Sequence, residues 1–160
     1  MKKSGDAMIK QLPISLNGAK KGEVRTQFAA LCYRVKKGKV RVLLITSRGS
    51  KRWIVPKGWP MEGKTPAASA AREAWEEAGV TGTAIDRCLG VYSYVKPISK
   101  SAAPVIVMVY PVHVLQKHAD WPDKGQRKRK WRSPQKAAKR LTEPGLRRIV
   151  AMFDPATLTP

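Results

Sequence analysis

The sequence predicts an α+β fold. Three observations point to it: stretches rich in Val, Leu, Ile and aromatics precede any helix signal, a Thr-Pro cap opens an alanine-rich helix near the middle, and a second Ser-Pro cap follows two further strand-like stretches. Strands, a helix, more strands and then helices is not the regular alternation of βαβ units. A chain of 160 residues holds one substantial core, so a single domain is expected.

Residues 1–24 mix Lys, Gly and Ser with a few apolar side chains and no sustained period, which predicts a flexible N-terminal arm and leaves 25–160 as the folded domain. The runs 27–34 and 40–47, separated by a lysine-rich stretch containing Gly38, predict a β-hairpin. Trp53 to Val55 is a short apolar segment, and Gly58, Pro60 and Gly63 predict a loop up to Thr65. Thr65 as N-cap, Pro66 in the first turn and Gly79 beyond the end predict a helix over 66–78. Strands are predicted over 83–95 and 105–115, the second of them central, with a polar loop containing Pro97, Ser99 and Ser101 between them. A basic stretch from Lys124 to Arg132 leads to Ser133-Pro134, the start of a second helix, and Leu146, Ile149, Val150 and Phe153 are spaced for a third, amphipathic one.

Composition narrows the function. The apolar fraction of 42% and the charged fraction of 27% are ordinary for a globular chain, and no apolar run is long enough to span a membrane. The first ten residues have lysines but no apolar core of a secretory signal, so a cytoplasmic location is expected. Cys32 and Cys88 are too few for a disulfide framework and lie in apolar surroundings, which predicts buried free thiols. The charge balance is the unusual feature: 32 basic residues against 11 acidic give a formal net charge of +21 and a sequence pI near 10.5. Such a field concentrates phosphate-rich ligands but does not separate nucleotides, inositol phosphates, RNA and anionic membranes.

Against that background three acids cluster. Glu73, Glu76 and Glu77 stand at i, i+3 and i+4 of the expected helix, on one side of it at about 100° per residue. Ala67, Ala71, Ala74 and Ala78 gather on the nearly opposite side, which is suited to close packing. Like charges at this spacing cost an isolated helix about 0.2–0.5 kcal/mol per pair, so the cluster asks for a cation. Oxygen ligands on a rigid face, completed by water and substrate phosphates, suit Mg²⁺, with Mn²⁺ as the substitute. Spacing alone equally allows a solvated face paired with Arg72 and the lysines.

The segment from Gly58 to Val80 resembles the Nudix box, G-x5-E-x7-R-E-U-x-E-E-x-G-U with U aliphatic: Gly58, Arg72, Glu73, Glu76, Glu77, Gly79 and Val80 match, and Ala74 fills the first aliphatic position. Lys64 replaces the first glutamate, with Glu62 nearby. The resemblance implies a mixed β-sheet sandwiched between α-helices and metal-dependent hydrolysis of a diphosphate linkage. It implies that Glu73, Glu76 and Glu77 bind the metal, that Glu77 or Glu76 activates water, with Glu77 the favoured base, and that Arg72 orients a glutamate through an ion pair.

Arg52-Trp53-Ile54-Val55-Pro56-Lys57-Gly58 and the basic segment Arg127 to Trp131 are similar to segments of diphosphoinositol polyphosphate phosphohydrolases, which also act on diadenosine polyphosphates. Lys130 departs from that pattern, which has glutamate there, and Lys57-Gly58-Trp59 stands where animal members have a run of glycines. The implied substrates are polyphosphorylated small molecules, met by Arg25, Lys51, Arg52, Lys57, Gly58, Arg127 and Arg129. Trp53 and Trp131 read as core residues that could also stack on a base, and His113 reads as structural. Three other readings stay open: an RNA 5′-pyrophosphohydrolase of the same family, a catalytically weak polyanion binder, and a nucleic-acid-binding protein working through Lys124 to Arg140.

Overall fold

The structure, a computed structural model, describes residues 25–95 and 104–158. The expected arm over 1–24 and the polar loop at Pro97, Ser99 and Ser101 lie outside the described residues.

Strands β1 (Thr26–Lys36) and β2 (Lys39–Thr46) form the expected antiparallel hairpin, with Tyr33 opposite Val42. Lys37 and Gly38 turn the chain with φ of 52° and 75°. Two left-handed residues in succession match the twist of the strands they join, and glycine takes the second position without steric cost. β3 (Trp53–Ile54) adds to β2 and β4 (Lys57–Gly58) adds to β1. The second pairing corrects the expected loop, because the N–H of Ala30 donates to the carbonyl of Pro56 at 2.9 Å and holds the segment on the sheet. A strand two residues long has no period for sequence to reveal.

Helix α1 (Pro66–Glu73) starts as expected, Thr65 Oγ1 accepting from the N–H of Ala68 at 3.1 Å. It does not run on as one α-helix. Ala74–Ala78 is a π-helical turn, closed by Gly79 in left-handed geometry at φ 68°. The expected strand over 83–95 is likewise two strands, β5 (Val80–Ala84) and β6 (Gly90–Val95), laid along one edge of β7 (Pro104–Lys117). The intervening residues stay tied to that edge, Ile85 and Leu89 donating their N–H groups to Pro111 and Val109 at 3.0 and 2.8 Å. β7 runs parallel to β1 on its other side, so it is internal to the sheet as expected.

The basic stretch was expected as a lead-in to a helix; its last part is β8 (Arg129–Arg132), antiparallel to β2. Helix α2 (Pro134–Arg140), capped by Ser133, and helix α3 (Pro144–Ala151) follow, then a short 3₁₀ turn at Pro155–Leu158. Alternation along the strands divides the core. Phe28, Ala30, Cys32, Leu43, Ile45, Tyr110 and Val112 face α1, while Ala29, Leu31, Tyr33, Val42, Leu44, Val107 and Val109 face α2 and α3. Ala67, Ala70, Ala74 and Ala78 let the first helix settle close to the sheet. The α+β class and the sandwich of a mixed sheet between helices are what the chain adopts. Among the described residues no helix is long and apolar enough to cross a membrane.

Candidate functional site

The three clustered glutamates do not behave alike. Glu73 is 8% exposed and rests against Gly58, where any Cβ would run into its carboxylate. The glycine of β4 therefore makes the room that the acid occupies. Glu77 accepts from the backbone N–H of Lys57 at 3.2 Å through Oε1. Its Oε2 meets Nη2 of Arg127 at 3.6 Å, the arginine side chain being buried and the glutamate partly so. Glu76, displaced by the wide turn, lies on the solvent side and receives Nε of Arg72 at 2.7 Å.

Arg127 is fixed on three sides. Beyond Glu77, its Nε donates to Oδ2 of Asp123 at 3.0 Å and its Nη1 to the carbonyl of Thr46 at 3.1 Å. Asp123 in turn donates its N–H to the carbonyl of Glu76 at 3.0 Å. The loop before β8 thus clamps the outer end of the carboxylate helix.

Burial pushes Glu73 up to about 8, and the charges of Glu77 and Glu76 and a hydrogen bond with Glu77 push the same way. Glu77 is also raised, by burial first, against the opposing pull of Arg127 and the Lys57 N–H. Two facing carboxyls hydrogen-bond only when a proton lies between them, so this pair is short of positive charge. An all-oxygen donor pair on a rigid element fits Mg²⁺ or Mn²⁺. Among the described residues no three His, Cys, Asp or Glu side chains gather as a full ligand set. Mg²⁺ keeps several waters and takes one or two carboxylates plus substrate oxygens. Glu73 and Glu77 are the residues that could hold it; Glu76 would have to leave Arg72 to join them.

The side chain of Lys57 runs from this pair into a narrow cleft of about 40 Å³ beside Arg52, Trp53, Tyr94, Thr142 and Glu143. Burial lowers its pKa, and its Nζ lies 5.4 Å over the ring of Tyr94. Tyr94 is itself held by a hydrogen bond from its hydroxyl to Oε1 of the buried Gln27 at 2.7 Å. A cation in a partly closed, aromatic-walled cleft next to paired carboxyls can bind a phosphate and exclude water from it.

Of the residues expected to meet substrate, Arg52 and Lys57 line this cleft, with Gly58 next to Lys57 in β4. Arg25 stands at the head of β1, the end where Phe28 pairs with Gly58, its carbonyl accepting from Ile106. Lys51 lies beyond Trp53, in a hollow with Thr46 and Lys128. Arg127 is spent on Glu77 and Asp123 instead of being presented to solvent. Arg129 stacks over Trp121 at 3.8 Å and donates to the carbonyls of Ala78 and His118, both at 3.1 Å. These contacts tie Arg129 to the end of the helix. Lys64 and Glu62 are exposed, Lys64 on a groove with Arg72, Trp75 and His118. Lys130 is exposed opposite Leu44. Trp53 and Trp131 pack against the two halves of the core, and His113 stacks on Tyr33 at 5.0 Å. Cys32 is a buried free thiol, whereas Cys88 is only partly buried.

Sequence reasoning missed Asp123, Glu143 and the Gln27–Tyr94 pair. Asp123 had a signal, an acid four residues before an arginine at the start of the basic stretch. Gln27 and Tyr94 had none, since only the β1–β7–β6 pairing brings them together.

The NUDIX domain family model matches residues 25–153. The chain is 35% identical over 115 residues to human diphosphoinositol polyphosphate phosphohydrolase 3-alpha, a match covering 71% of this chain and 66% of that protein. It is 34% identical over 115 residues to rat diphosphoinositol polyphosphate phosphohydrolase 2, covering 71% of this chain and 60% of that one. The matched segment thus spans less than two thirds of the length of these curated relatives. Among solved structures, the C. elegans Ap4A hydrolase superposes with a TM-score of 0.59 at 22% identity, covering 80% of this chain and 94% of that one. The MutT protein from Methanosarcina mazei Go1 does so with a TM-score of 0.58 at 24% identity, covering 85% and 96%. At those identities the likeness is one of fold.

Proposed function

The chain belongs to the NUDIX family, and from that premise we propose that it hydrolyses a phosphoanhydride (diphosphate) linkage in a highly anionic small molecule, a diphosphoinositol polyphosphate or a diadenosine polyphosphate. The observation that carries the proposal is the pair of buried Glu73 and partly buried Glu77 with Lys57 beside it, a cation-seeking acid pair next to a phosphate-seeking cation.

Glu73 and Glu77 would hold Mg²⁺ or Mn²⁺, with Glu76 drawn in from Arg72. Bound there, the ion would offset charge on the bridging phosphates and acidify a coordinated water. The remaining work falls to the chain itself. Lys57 and Arg52 fix phosphates in the cleft, Arg127 and the Lys57 N–H keep the Glu77 carboxylate from swinging, and Glu77 accepts the proton of the attacking water. Arg72 positions Glu76. We place this activity in the cytoplasm, a reading supported by the free thiols Cys32 and Cys88.

The test is to incubate the protein with Mg²⁺ and, separately, a diphosphoinositol phosphate, diadenosine penta- and hexaphosphate, and 5′-triphosphate RNA, with products followed by ³¹P NMR beside a Glu77→Gln control. Turnover of the inositol or dinucleotide substrates that disappears in the control supports the proposal. Turnover of the RNA end alone would replace it with an RNA 5′-pyrophosphohydrolase, and no turnover at all with a polyanion binder.

A further inference from the structure

At the turn end of the β1–β2 hairpin, Arg34 stands directly opposite Arg41 and Lys36 directly opposite Lys39. All four lie on the face of the sheet that carries α1, in register with Cys32 and Leu43. Like charges directly opposite each other destabilise a sheet. The strands themselves carry no acid to offset them: neither 26–61 nor 124–142 contains an Asp or Glu, and among the described residues none of the four forms an ion pair. The neighbouring strand adds an aromatic platform, since Trp131 of β8 lies opposite Leu43 and the Arg34 guanidinium stacks over it at 4.1 Å. A repulsive lattice of cations against a half-buried indole is a costly way to build a free surface, and a favourable one for an extended polyanion.

Arg34 is six residues along β1 from Phe28, which pairs with Gly58 of the candidate active site. At about 3.3 Å per residue that is about 20 Å, so the lattice is separate from the diphosphate cleft. We propose that this face is a second site, which holds single-stranded RNA by its phosphates with a base laid on the Arg34–Trp131 stack. Same-strand cations two residues apart are spaced about 6.6 Å along the sheet, which lets one chain of phosphates meet several of them. A planar guanidinium on an indole is a surface on which a nucleobase stacks and an inorganic polyphosphate chain does not. A membrane fits less well, because Val35, the exposed apolar residue between Arg34 and Lys36, belongs to the opposite face.

The test uses Lys39→Glu/Arg41→Glu in the full chain, which turns both repulsive pairs into attractive ones. A variant with the same charge change on the far layer, Lys139→Glu/Arg140→Glu, is the control. Binding of a twelve-nucleotide oligouridine is measured in EDTA, where no metal-dependent chemistry runs. The hairpin variant is expected to melt higher than wild type, to hydrolyse small substrates at an unchanged rate and to lose at least about tenfold in RNA affinity, while the control loses only a few-fold. Wild-type affinity should fall with salt at a logarithmic slope of about −3, as about four neutralised phosphates require. Equal losses in the two variants would overturn the site in favour of a diffuse field. An unraised melting temperature would overturn the repulsion on which it rests. Tighter binding to phosphatidylserine vesicles or to inorganic polyphosphate than to RNA would overturn the choice of partner.

Discussion

The backbone N–H of Lys57 donates to Oε1 of Glu77 at 3.2 Å, joining a two-residue strand to a helical turn twenty residues later. One residue thus serves the candidate site twice, its main chain holding a carboxylate while its side chain enters the cleft where a phosphate would lie.

Glu77→Gln keeps the shape of that joint but cannot take a proton from water. The rate of diphosphate hydrolysis should fall about 10²- to 10⁴-fold, with the melting temperature changed little. Single-turnover ³¹P assays beside calorimetry check both parts; a loss of activity matched by a loss of folded protein would contradict the assigned role.

Arg127 is buried against Glu77, Asp123 and the Thr46 carbonyl. Removing it strands two partly buried acids, so Arg127→Leu should cost about 2–3 kcal/mol in urea unfolding, below the range for a fully buried pair. A penalty below about 1 kcal/mol would mean that the clamp is a surface ion pair in all but appearance.

Gly58→Ala places a methyl group where the Glu73 carboxylate lies. Expelling that side chain should cost about 1–3 kcal/mol and weaken Mg²⁺ binding at least about tenfold, as read by Mn²⁺ competition in electron paramagnetic resonance. Unchanged metal affinity would remove Glu73 from the proposed ligand set.

Glu73 is raised from 4.5 to about 8, by burial first and its neighbouring acids second. In that window the folded state holds a proton that the unfolded chain has released, so the stabilisation is complete below about pH 4.5 and is lost as pH rises through about 8. The metal-free protein should therefore lose thermal stability between these values. Added Mg²⁺ should restore most at the alkaline end and release protons into weakly buffered solution near neutrality. Glu73→Gln should flatten the pH slope; a slope that persists in that variant assigns it to another group.

Cys32 is fully enclosed, and burial pushes its thiol up to about 12, whereas Cys88 is only partly covered. A disulfide reagent at pH 8 should label one thiol quickly, that of Cys88, and reach Cys32 only on unfolding. Rapid double labelling of the native protein would contradict the burial of β1.

The elements legible in the sequence are those whose signal is local. Thr65-Pro66 and Ser133-Pro134 announce helices because a cap and the residue beside it act within one turn. Gly38 announces its turn because φ there is left-handed. The spacing of Glu73, Glu76 and Glu77 needs only the pitch of a helix to suggest a metal site. Where the sequence carries no local signal, the deciding partner is remote. β4 exists because Phe28 and Ala29 lie across from it, and β8 because β2 offered an open edge. The expected strand over 83–95 breaks where Ile85 and Leu89 follow the edge of β7.

By itself, then, the sequence determined the α+β order, the carboxylate helix and an electrostatic appetite for phosphate, since each follows from residue type and near spacing. Only the tertiary structure decided which glutamates face each other, that Arg127 pairs with Glu77, and that Arg129 stacks over Trp121 at the end of the helix. Those outcomes depend on burial and on contacts between segments far apart in the chain. A charged side chain is drawn to whichever partner the packing leaves within reach, and no local pattern records that choice.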